Sequence, residues 1–272
     1  IKSQITEKLL LLVLDGCRYD TAVEQMGILN HHVDYKQAQL IKVHAEMPSS
    51  SRPLYEVLAT GVPSYRNGIL TNADGQHSKE LSIFDLVKAA GGSTAAAAHY
   101  WQSELFNQAP YEIKRDRIQH DHKKSIQHGI FYSENQYPDS HVFADGHYLL
   151  HTYQPNLLLI HSMNIDAAGH RYTAVSKEYR KAVNQADQLI GLYLHDWLAA
   201  GYQVIVTADH GMDEYGLHGG SMAAHREVPL YIFSDIFPPD CGIEKMNQLE
   251  LAPLICSLLK IDTSERMQIG RS

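Results

Sequence analysis

Thirteen residues near position 210, ADHGMDEYGLHGG, contain two histidines, three acidic residues and four glycines. Residues of the same types occur far away in the chain, as Asp15 in LDG and as Asp166 and His170 in DAAGH. Carboxylate and imidazole groups together are typical ligands of zinc or manganese rather than of calcium. Because crowded carboxylates are unfavourable without cations, these residues together predict a site for two divalent metal ions.

The elements that must position these residues are apolar runs that read as buried strands. The runs lie in residues 9–14, 155–166, 202–211 and 228–233, and polar residues follow the first three. Helical patterns separate the runs, and they are found at 51–61, 81–92, 176–201 and 248–261. Strands that alternate with helices predict an α/β fold with a mainly parallel sheet sandwiched by helices. Ligands of such sheets bind at the carboxyl ends of the strands, so we expect the three polar ends to converge.

The domain organisation predicted from the sequence is one domain over residues 1–272. Residues 74 to 150 interrupt the alternation, because they are rich in His, Tyr, Asn and Gln and lack long apolar runs. We interpret them as a small cap insertion over the sheet, where substrate choice would be determined. A group of three histidines in this segment, His120, His122 and His128, is left out of the predicted sites, because HDH in a polar loop is usually solvated.

The residue types identify five ligand candidates, which are too few for two coordination shells. They are Asp15, Asp166, His170, Asp209 and His210. His218 in GLHGG is the best sixth ligand, and His225 is its competitor, although it lies nearer the next strand and lacks flanking glycines. Asp213 and Glu214 are predicted to face solvent.

Three consecutive serines, Ser49, Ser50 and Ser51, lie just before the helix predicted at 51–61. A hydroxyl at a helix N-terminus lies among free backbone N–H groups, which favour a phosphate there. Metal coordination would make its alkoxide accessible as a nucleophile. Serine is also a common N-cap, and local reasoning does not choose among the three.

Composition limits the class of partner. The chain has 272 residues, and its 23 basic and 31 acidic residues give a formal net charge of -8, which opposes binding to nucleic acid. Three cysteines without a CxxC pair predict no disulfide framework and a reducing compartment. The run LLLLVL is too short for a membrane span and lacks signal-peptide flanks, so we expect a cytoplasmic protein without a membrane partner.

Four sequence blocks resemble the alkaline phosphatase superfamily, and within it most closely the type I phosphodiesterase/nucleotide pyrophosphatase family. The blocks are LLLVLDGCRYD, SRPLYEVLATGVPSYRNGILTN, IDAAGHRYTAVSKEYRKAVNQADQLIG and VIVTADHGMDEYGLHGG. The family has a nucleophile, Pro two positions later, then Leu and Thr-Gly, a pattern that selects Ser51. The resemblance implies an alkaline-phosphatase-like core, and it implies that Asn72 contacts a phosphoryl oxygen.

The resemblance also implies how the ligands divide between two ions, which are zinc in most relatives, with manganese possible here. One ion would be held by Asp166, His170 and His218, and the other by Asp15, Ser51, Asp209 and His210. The close spacing of DHGM and GLHGG is the usual form in ethanolamine-phosphate transferases of the superfamily, and it favours His218 over His225.

Two positions depart from related patterns. Nucleotide pyrophosphatases often have an aromatic residue after the nucleophile, where this chain has Arg52. We expect Arg52 to bind a second anionic group of the substrate or a phosphoryl oxygen, with a solvent-facing arginine as the alternative. Sulfatases need an Arg four residues after the nucleophile, where this chain has Tyr55, so sulfatase activity is disfavoured.

The function implied by the resemblance is hydrolysis of phosphodiester or pyrophosphate bonds through a phosphoseryl intermediate on Ser51. The substrate would be a small phosphate ester or phosphonate. Phosphonate (C–P) hydrolysis and phosphomonoester hydrolysis are alternatives within the superfamily. A non-catalytic metal-binding protein of the same fold is an alternative of a different class.

Overall fold

The computed structural model describes residues 5 to 239 and 241 to 267 of the chain. Nine strands form one sheet at its centre, in the spatial order β4-β5-β3-β6-β1-β7-β8-β2-β9. Their bounds in chain order are β1 Leu9–Leu14, β2 Gln39–His44, β3 Thr94–His99, β4 Ile118–His120, β5 His128–Tyr132, β6 Leu157–Ser162, β7 Gln203–Thr207, β8 Glu227–Phe233 and β9 Lys245–Asn247.

Five neighbouring strands, β5, β3, β6, β1 and β7, run parallel, and β8 and β4 are antiparallel to their neighbours. Strand β2 pairs antiparallel with β8, and therefore runs in the same direction as the parallel set. The mainly parallel α/β sheet predicted from the sequence is confirmed. Strand β1 is buried along its whole length, as expected for a parallel strand covered on both faces.

Two groups of mutually packed helices accompany the sheet, one around α10 and one around α3. The helices are α1 Tyr19–Gln25, α2 Gly27–Asp34, α3 Ser51–Thr60, α4 Ser64–Asn67, α5 Ile83–Ala89, α6 Tyr100–Phe106, α7 Ile113–Asp116, α8 Asp139–Tyr153, α9 Asn164–Tyr172, α10 Lys177–Ala199, α11 Ala223–Arg226 and α12 Leu251–Leu258. Among the helices of the described residues, none is both long and apolar enough to cross a bilayer. The three cysteines are free thiols, in agreement with the sequence.

The segment at 74–150, interpreted from the sequence as a cap, is largely part of the central sheet, so that interpretation is wrong. It supplies β3, β4 and β5 together with α8. Strand β3 has the sequence TAAAAH, which is too weakly apolar to be recognised as a core strand. The strand is nevertheless buried along its whole length, with α8 packed on it and on β6. Gly146 of α8 lies against Ile160 of β6, since a Cβ on Gly146 would be 2.4 Å from Ile160 Cδ1.

A carboxyl group is buried within α3, the helix that begins at Ser51. Glu56 is fully buried; its Oε1 accepts a hydrogen bond from Ser78 Oγ, and its Oε2 has no hydrogen-bond partner among the described residues. Burial, reinforced by Glu80 and Asp85, raises the pKa of Glu56 to about 8 despite the Ser78 hydrogen bond. At neutral pH this side chain is therefore mostly a neutral acid.

Replacement of Glu56 by glutamine tests this reading through the pH dependence of stability. The pKa of Glu56 in the folded protein lies above the ordinary glutamate value of 4.5, so its contribution to stability is fully present below pH 4.5 and is lost as pH rises to about 8. Each pKa unit is worth about 1.4 kcal/mol. We expect Glu56→Gln to raise the Tm relative to wild type by several degrees more at pH 8.5 than at pH 5.5.

The control is Glu214→Gln at an exposed position, which should shift the Tm equally at both pH values. An equal Tm offset for Glu56→Gln at pH 5.5 and 8.5 would contradict the neutral buried acid.

Candidate functional site

The carboxyl ends of the adjacent strands β6, β1 and β7 meet at one edge of the sheet. Asp15 follows β1, Asp166 lies in α9 after β6, and Asp209 follows β7. Gly16 permits this convergence: its φ is +73°, and a Cβ there would lie 2.9 Å from Asp166 Cα. Its N–H donates to Asp209 Oδ1 at 3.1 Å, so the turn after β1 holds the carboxylate that follows β7.

Three histidines at this edge make the same kind of hydrogen bond through Nδ1. Each places Nδ1 within hydrogen-bond distance of a backbone carbonyl: His170 with Gly216 O at 2.8 Å, His210 with Gly211 O at 2.8 Å and His218 with Ser49 O at 2.9 Å. A carbonyl only accepts hydrogen bonds, so each Nδ1 carries the proton and each Nε2 presents a lone pair. Metal-ligating histidines are oriented by outer contacts of this kind.

The Nε2 atoms and the carboxylates form two groups whose ligand atoms lie within 4.8 Å of one another. One group is Asp166, His170 and His218, as the resemblance implied, with 3.2 Å between the two Nε2 atoms. The other is Asp15, Asp166 and His210, with 3.5 Å from His210 Nε2 to Asp15 Oδ1. The resemblance assigned Asp166 to one ion, but its carboxylate reaches both groups. Asp209 Oδ2 lies 3.4 Å from His210 Nε2 and so borders the second group.

Two carboxylate oxygens at the site are buried without a hydrogen-bond partner among the described residues. They are Asp166 Oδ1 and Asp209 Oδ2. Buried polar atoms are normally satisfied, and facing Nε2 lone pairs at 3.2 Å repel each other. A divalent cation would satisfy both, so the donor set fits the metal ions that the residue types predicted.

The electrostatics of the aspartates also favour cations. Burial and the neighbouring charge of Asp15 raise the pKa values of Asp166 and Asp209 well above the usual range. Burial would also raise the pKa of Asp15, but hydrogen bonds from His161 and Tyr55 and the nearby His210 hold it below the usual value. Burial, with His218 nearby, lowers the pKa of His210 to about 3, so its imidazole stays neutral. A cation bound between these carboxylates would favour their ionised forms.

The structure separates the three consecutive serines. Ser51, the first residue of α3, places Oγ 3.0 Å from His210 Nε2 and 3.4 Å from Asp15 Oδ1. Ser50 occupies the N-cap position without a side-chain hydrogen bond to the helix. Ser49 Oγ donates to Gly220 O at 2.7 Å and accepts from Gly219 N at 3.1 Å. Of the three, Ser51 is the one whose hydroxyl lies among the candidate ligands.

Asn72 and Arg52 lie beside Ser51. Asn72 Oδ1 accepts a hydrogen bond from Arg52 N at 3.0 Å. The amide nitrogen of Asn72, Nδ2, is therefore the group that can donate to a ligand. The Arg52 guanidinium is buried, with Glu104 Oε2 at 2.7 Å and the ring of Trp101 at 4.8 Å. The solvent-facing alternative for Arg52 is therefore wrong. Its Nη1 and Nη2 donate to Asp74 O and Glu104 Oε2, and its Nε has no hydrogen-bond partner among the described residues.

His225, the competing ligand candidate, belongs to neither group and instead holds the glycine-rich loop. His225 Nε2 lies 3.0 Å from Asp213 Oδ2, and His225 Nδ1 accepts from Gly220 N at 3.0 Å. Asp213 was predicted to face solvent, and that prediction is wrong, because the side chain is buried. It turns inward to accept hydrogen bonds from the backbone N–H groups of Tyr215 and Leu217 as well. Glu214 is exposed, as predicted.

The histidines left out of the predicted sites form a ring cluster at the β4–β5 edge. Nδ1 of His120 lies 3.4 Å from Nδ1 of His128, and Tyr153 stacks on His128 with ring centroids 3.9 Å apart. Within the chain that the structure describes, these residues do not make up one of the potential metal-binding groups of three.

Sequence reasoning missed two polar residues that contact Asp15. Tyr55 OH and His161 Nε2 both hydrogen-bond to Asp15 Oδ2, the latter at 3.1 Å. Signals for both were present. Tyr55 lies one helical turn after Ser51, and His161 interrupts an apolar run whose strand pairs in parallel with β1, placing His161 opposite Val13.

Curated proteins that resemble this chain are much longer than it is. GPI ethanolamine phosphate transferase 3 of Schizosaccharomyces pombe is 23% identical in an alignment of 282 positions that covers 94% of this chain and 28% of that protein. Ectonucleotide pyrophosphatase/phosphodiesterase family member 7 of Homo sapiens is 34% identical over 76 residues, covering 26% of this chain and 16% of that protein. The chain thus spans less than a third of the length of either relative.

Solved structures share the fold over nearly the whole chain. Murine ectonucleotide pyrophosphatase/phosphodiesterase 5 superposes with a TM-score of 0.75 at 14% identity, covering 95% of this chain and 96% of that one. Phosphonate monoester hydrolase from Silicibacter pomeroyi superposes with a TM-score of 0.64 at 12% identity, covering 98% and 76%. At these identities the likeness establishes a common alkaline-phosphatase-like fold.

The family profile for type I phosphodiesterase / nucleotide pyrophosphatase matches residues 9–223. This range includes Ser51, Asn72 and every candidate metal ligand from Asp15 to His218. The chain therefore belongs to the type I phosphodiesterase/nucleotide pyrophosphatase family of the alkaline phosphatase superfamily.

Proposed function

We propose that this protein is a dimetal phosphohydrolase that cleaves phosphodiester or pyrophosphate bonds through a phosphoseryl intermediate on Ser51. The observation that carries the proposal is the convergence of three oriented Nε2 atoms with two unpartnered carboxylate oxygens, with Ser51 Oγ 3.0 Å from one of those nitrogens. Two divalent ions, zinc or alternatively manganese, would polarise phosphoryl oxygens and lower the pKa of the Ser51 hydroxyl.

The chain offers ligands for both ions. Asp166, His170 and His218 would hold one ion. The other would be held by Asp15, Ser51, Asp209 and His210, with the Asp166 carboxylate close to both sets. Three carboxylates and two divalent ions leave one net positive charge while Ser51 is a hydroxyl, which favours binding of an anionic phosphate ester. The charge of the Ser51 alkoxide would then bring the site to neutrality.

Hydrolysis would proceed by two in-line displacements. Ser51 Oγ, as alkoxide, forms a bond to phosphorus while the bond to the leaving oxygen breaks; that oxygen takes the electron pair and, in the overall balance, the proton that Ser51 gave up. Water then attacks phosphorus from the vacated side, the bond from phosphorus to Ser51 Oγ breaks, and the proton that the water loses restores the Ser51 hydroxyl. Asn72 Nδ2 donates to a non-bridging oxygen, and the N-terminal amides of α3 favour its negative charge.

The surroundings of Arg52 favour diesters over monoesters. A monoester has an additional negative charge, and Arg52 is the cation beside Ser51 that could match it. Glu104 lies 2.7 Å from that guanidinium and offsets its charge. A phosphodiester or pyrophosphate linkage needs no such cation, so this arrangement supports the diesterase over the phosphomonoesterase.

A second candidate is transfer of the phosphoryl group to an alcohol instead of to water. The alignment with GPI ethanolamine phosphate transferase 3 spans 94% of this chain and motivates it. Turnover of bis-p-nitrophenyl phosphate, p-nitrophenyl phosphate and phosphonoacetate, with and without an added alcohol, separates the possibilities. Faster p-nitrophenol release with formation of an alcohol phosphodiester indicates transfer, whereas two bound ions without any turnover indicate the non-catalytic alternative.

Replacing Ser51 tests the covalent step. We expect Ser51→Ala to reduce kcat on bis-p-nitrophenyl phosphate at least ~100-fold, because it removes the nucleophile. Ser50→Ala is the matched control, since the Ser50 side chain makes no cap hydrogen bond, and it should retain near-normal kcat. Near-normal turnover by Ser51→Ala would exclude a phosphoseryl intermediate.

Asn72→Asp separates phosphoryl binding from helix capping. Aspartate can still accept the hydrogen bond from Arg52 N, so the Tm should stay close to wild type. It lacks the Nδ2 donor and adds a negative charge, so we expect kcat/KM to fall about 100-fold. A kcat/KM within twofold of wild type would show that Asn72 acts only as a cap.

Metal binding should release protons, because Asp166 and Asp209 have raised pKa values in the metal-free site. Protons and metal ions compete for these oxygens, so zinc affinity should increase with pH. Calorimetric titration of the chelator-treated protein in buffers of different ionisation enthalpy measures the release. Asp166→Asn should weaken both sites, whereas His195→Ala, at an exposed position, should weaken neither. Zinc affinity that does not change with pH would contradict this account.

A further inference from the structure

The two oxygens of the Asp15 carboxylate have different surroundings. Asp15 Oδ2 accepts hydrogen bonds from Tyr55 OH and, at 3.1 Å, from His161 Nε2. Asp15 Oδ1 lies 3.4 Å from Ser51 Oγ and 3.5 Å from His210 Nε2. One oxygen is therefore occupied by two donors, and the other faces the nucleophile and the candidate ligands.

The orientation of His161 is fixed from its other ring nitrogen. The backbone N–H of His99, the last residue of β3, points to His161 Nδ1 at 3.4 Å. A nitrogen that accepts from an N–H cannot carry the proton of the neutral ring, so Nε2 carries it and donates to Asp15. The Tyr132 hydroxyl also holds the backbone carbonyl of His161 at 2.8 Å.

The polarity of Tyr55 and His161 is not required for packing. Tyr55 is 1% exposed and His161 is 0% exposed, and their rings pack edge to face with centroids 4.7 Å apart. Burying a hydroxyl and an imidazole costs free energy that apolar side chains of similar volume would avoid. Both polar atoms hydrogen-bond to the same oxygen of Asp15, so the orientation of Asp15 is what their polarity serves.

We propose that Tyr55 and His161 are positioning residues that keep Asp15 a one-oxygen ligand, and that they thereby set the affinity of the metal position beside Ser51. This inference rests on the proposed dimetal function. With Oδ2 held, the carboxylate cannot rotate to chelate an ion with both oxygens, and Oδ1 stays directed at Ser51. Outer contacts of this kind typically change metal affinity by about 10- to 100-fold when they are lost.

The experiment is zinc titration of the chelator-treated full chain against a chromogenic chelator, which resolves two affinities per molecule. Tyr55→Phe removes only the hydroxyl, and His161→Leu removes the imidazole donor. Each should weaken one of the two zinc sites by about 10- to 100-fold and leave the other unchanged. His161→Gln, whose amide can replace the Nε2 donor, should restore most of the affinity.

The matched control is Tyr202→Phe. Tyr202 is also buried, but its hydroxyl donates to Pro155 O at 2.7 Å, at the amino-terminal edge of the sheet. This variant should lower the Tm of the metal-free protein without changing either zinc affinity. Tyr55→Phe also removes a buried hydroxyl that donates a hydrogen bond, so its metal-free Tm should fall as well, but it should in addition weaken one zinc site.

The outcomes distinguish this inference from the proposed function. If wild type binds fewer than two zinc ions, the dimetal function fails, and the inference fails with it. If wild type binds two ions and both Tyr55→Phe and His161→Leu bind them with unchanged affinities, only the positioning role is overturned. Should His161→Leu fail to fold, the titration of Tyr55→Phe still decides.

Discussion

The constraint on which the site depends is the electrostatic cost of three buried carboxylates at the ends of three adjacent strands. Ionisation of all three is unfavourable without compensating charge, because Asp15, Asp166 and Asp209 are buried and close to one another. The strand order β6-β1-β7 brings them together, and close approach at Gly16 keeps them there. A bound cation would relieve the repulsion between these carboxylates, and metal binding would therefore stabilise this edge of the sheet.

The chain limits this cost by treating the three carboxylates differently. Asp15 receives donors from Tyr55 and His161, whereas Asp166 and Asp209 each keep one oxygen without a partner. Without metal, the negative charge is therefore expected to concentrate on Asp15, and protons to occupy the other two. The Asp15 carboxylate is then the one available to attract a first cation.

The sequence predicted the parts of the site that depend on residue type and chain direction. A parallel strand followed at once by an aspartate could be read directly at Asp15 and Asp209, because the sheet rule places both at one edge. Prediction from the sequence failed where the environment of a residue depends on side chains that are distant in the sequence. The alanines of β3 looked like a loop because their apolar surface is small, yet the strand is fully buried between β5 and β6 with α8 packed on it. Arg52 looked like a ligand for substrate because Glu104 is 52 residues away.

The same limit applies to a backbone contact between the segments that carry Ser51 and His218. Ser49 and Gly219 form a short antiparallel bridge, in which Ser49 Oγ bonds the loop backbone and Ser49 O accepts from His218 Nδ1. His218 belongs to one ligand group, and Ser51, two residues after Ser49, lies beside the other. The bridge therefore ties the backbone beside Ser51 to the backbone beside His218. In the proposed mechanism, in-line displacement would need two ions about 4 Å apart, and this bridge would help to hold the two ligand groups in place while Ser51 changes between free hydroxyl and phosphoester.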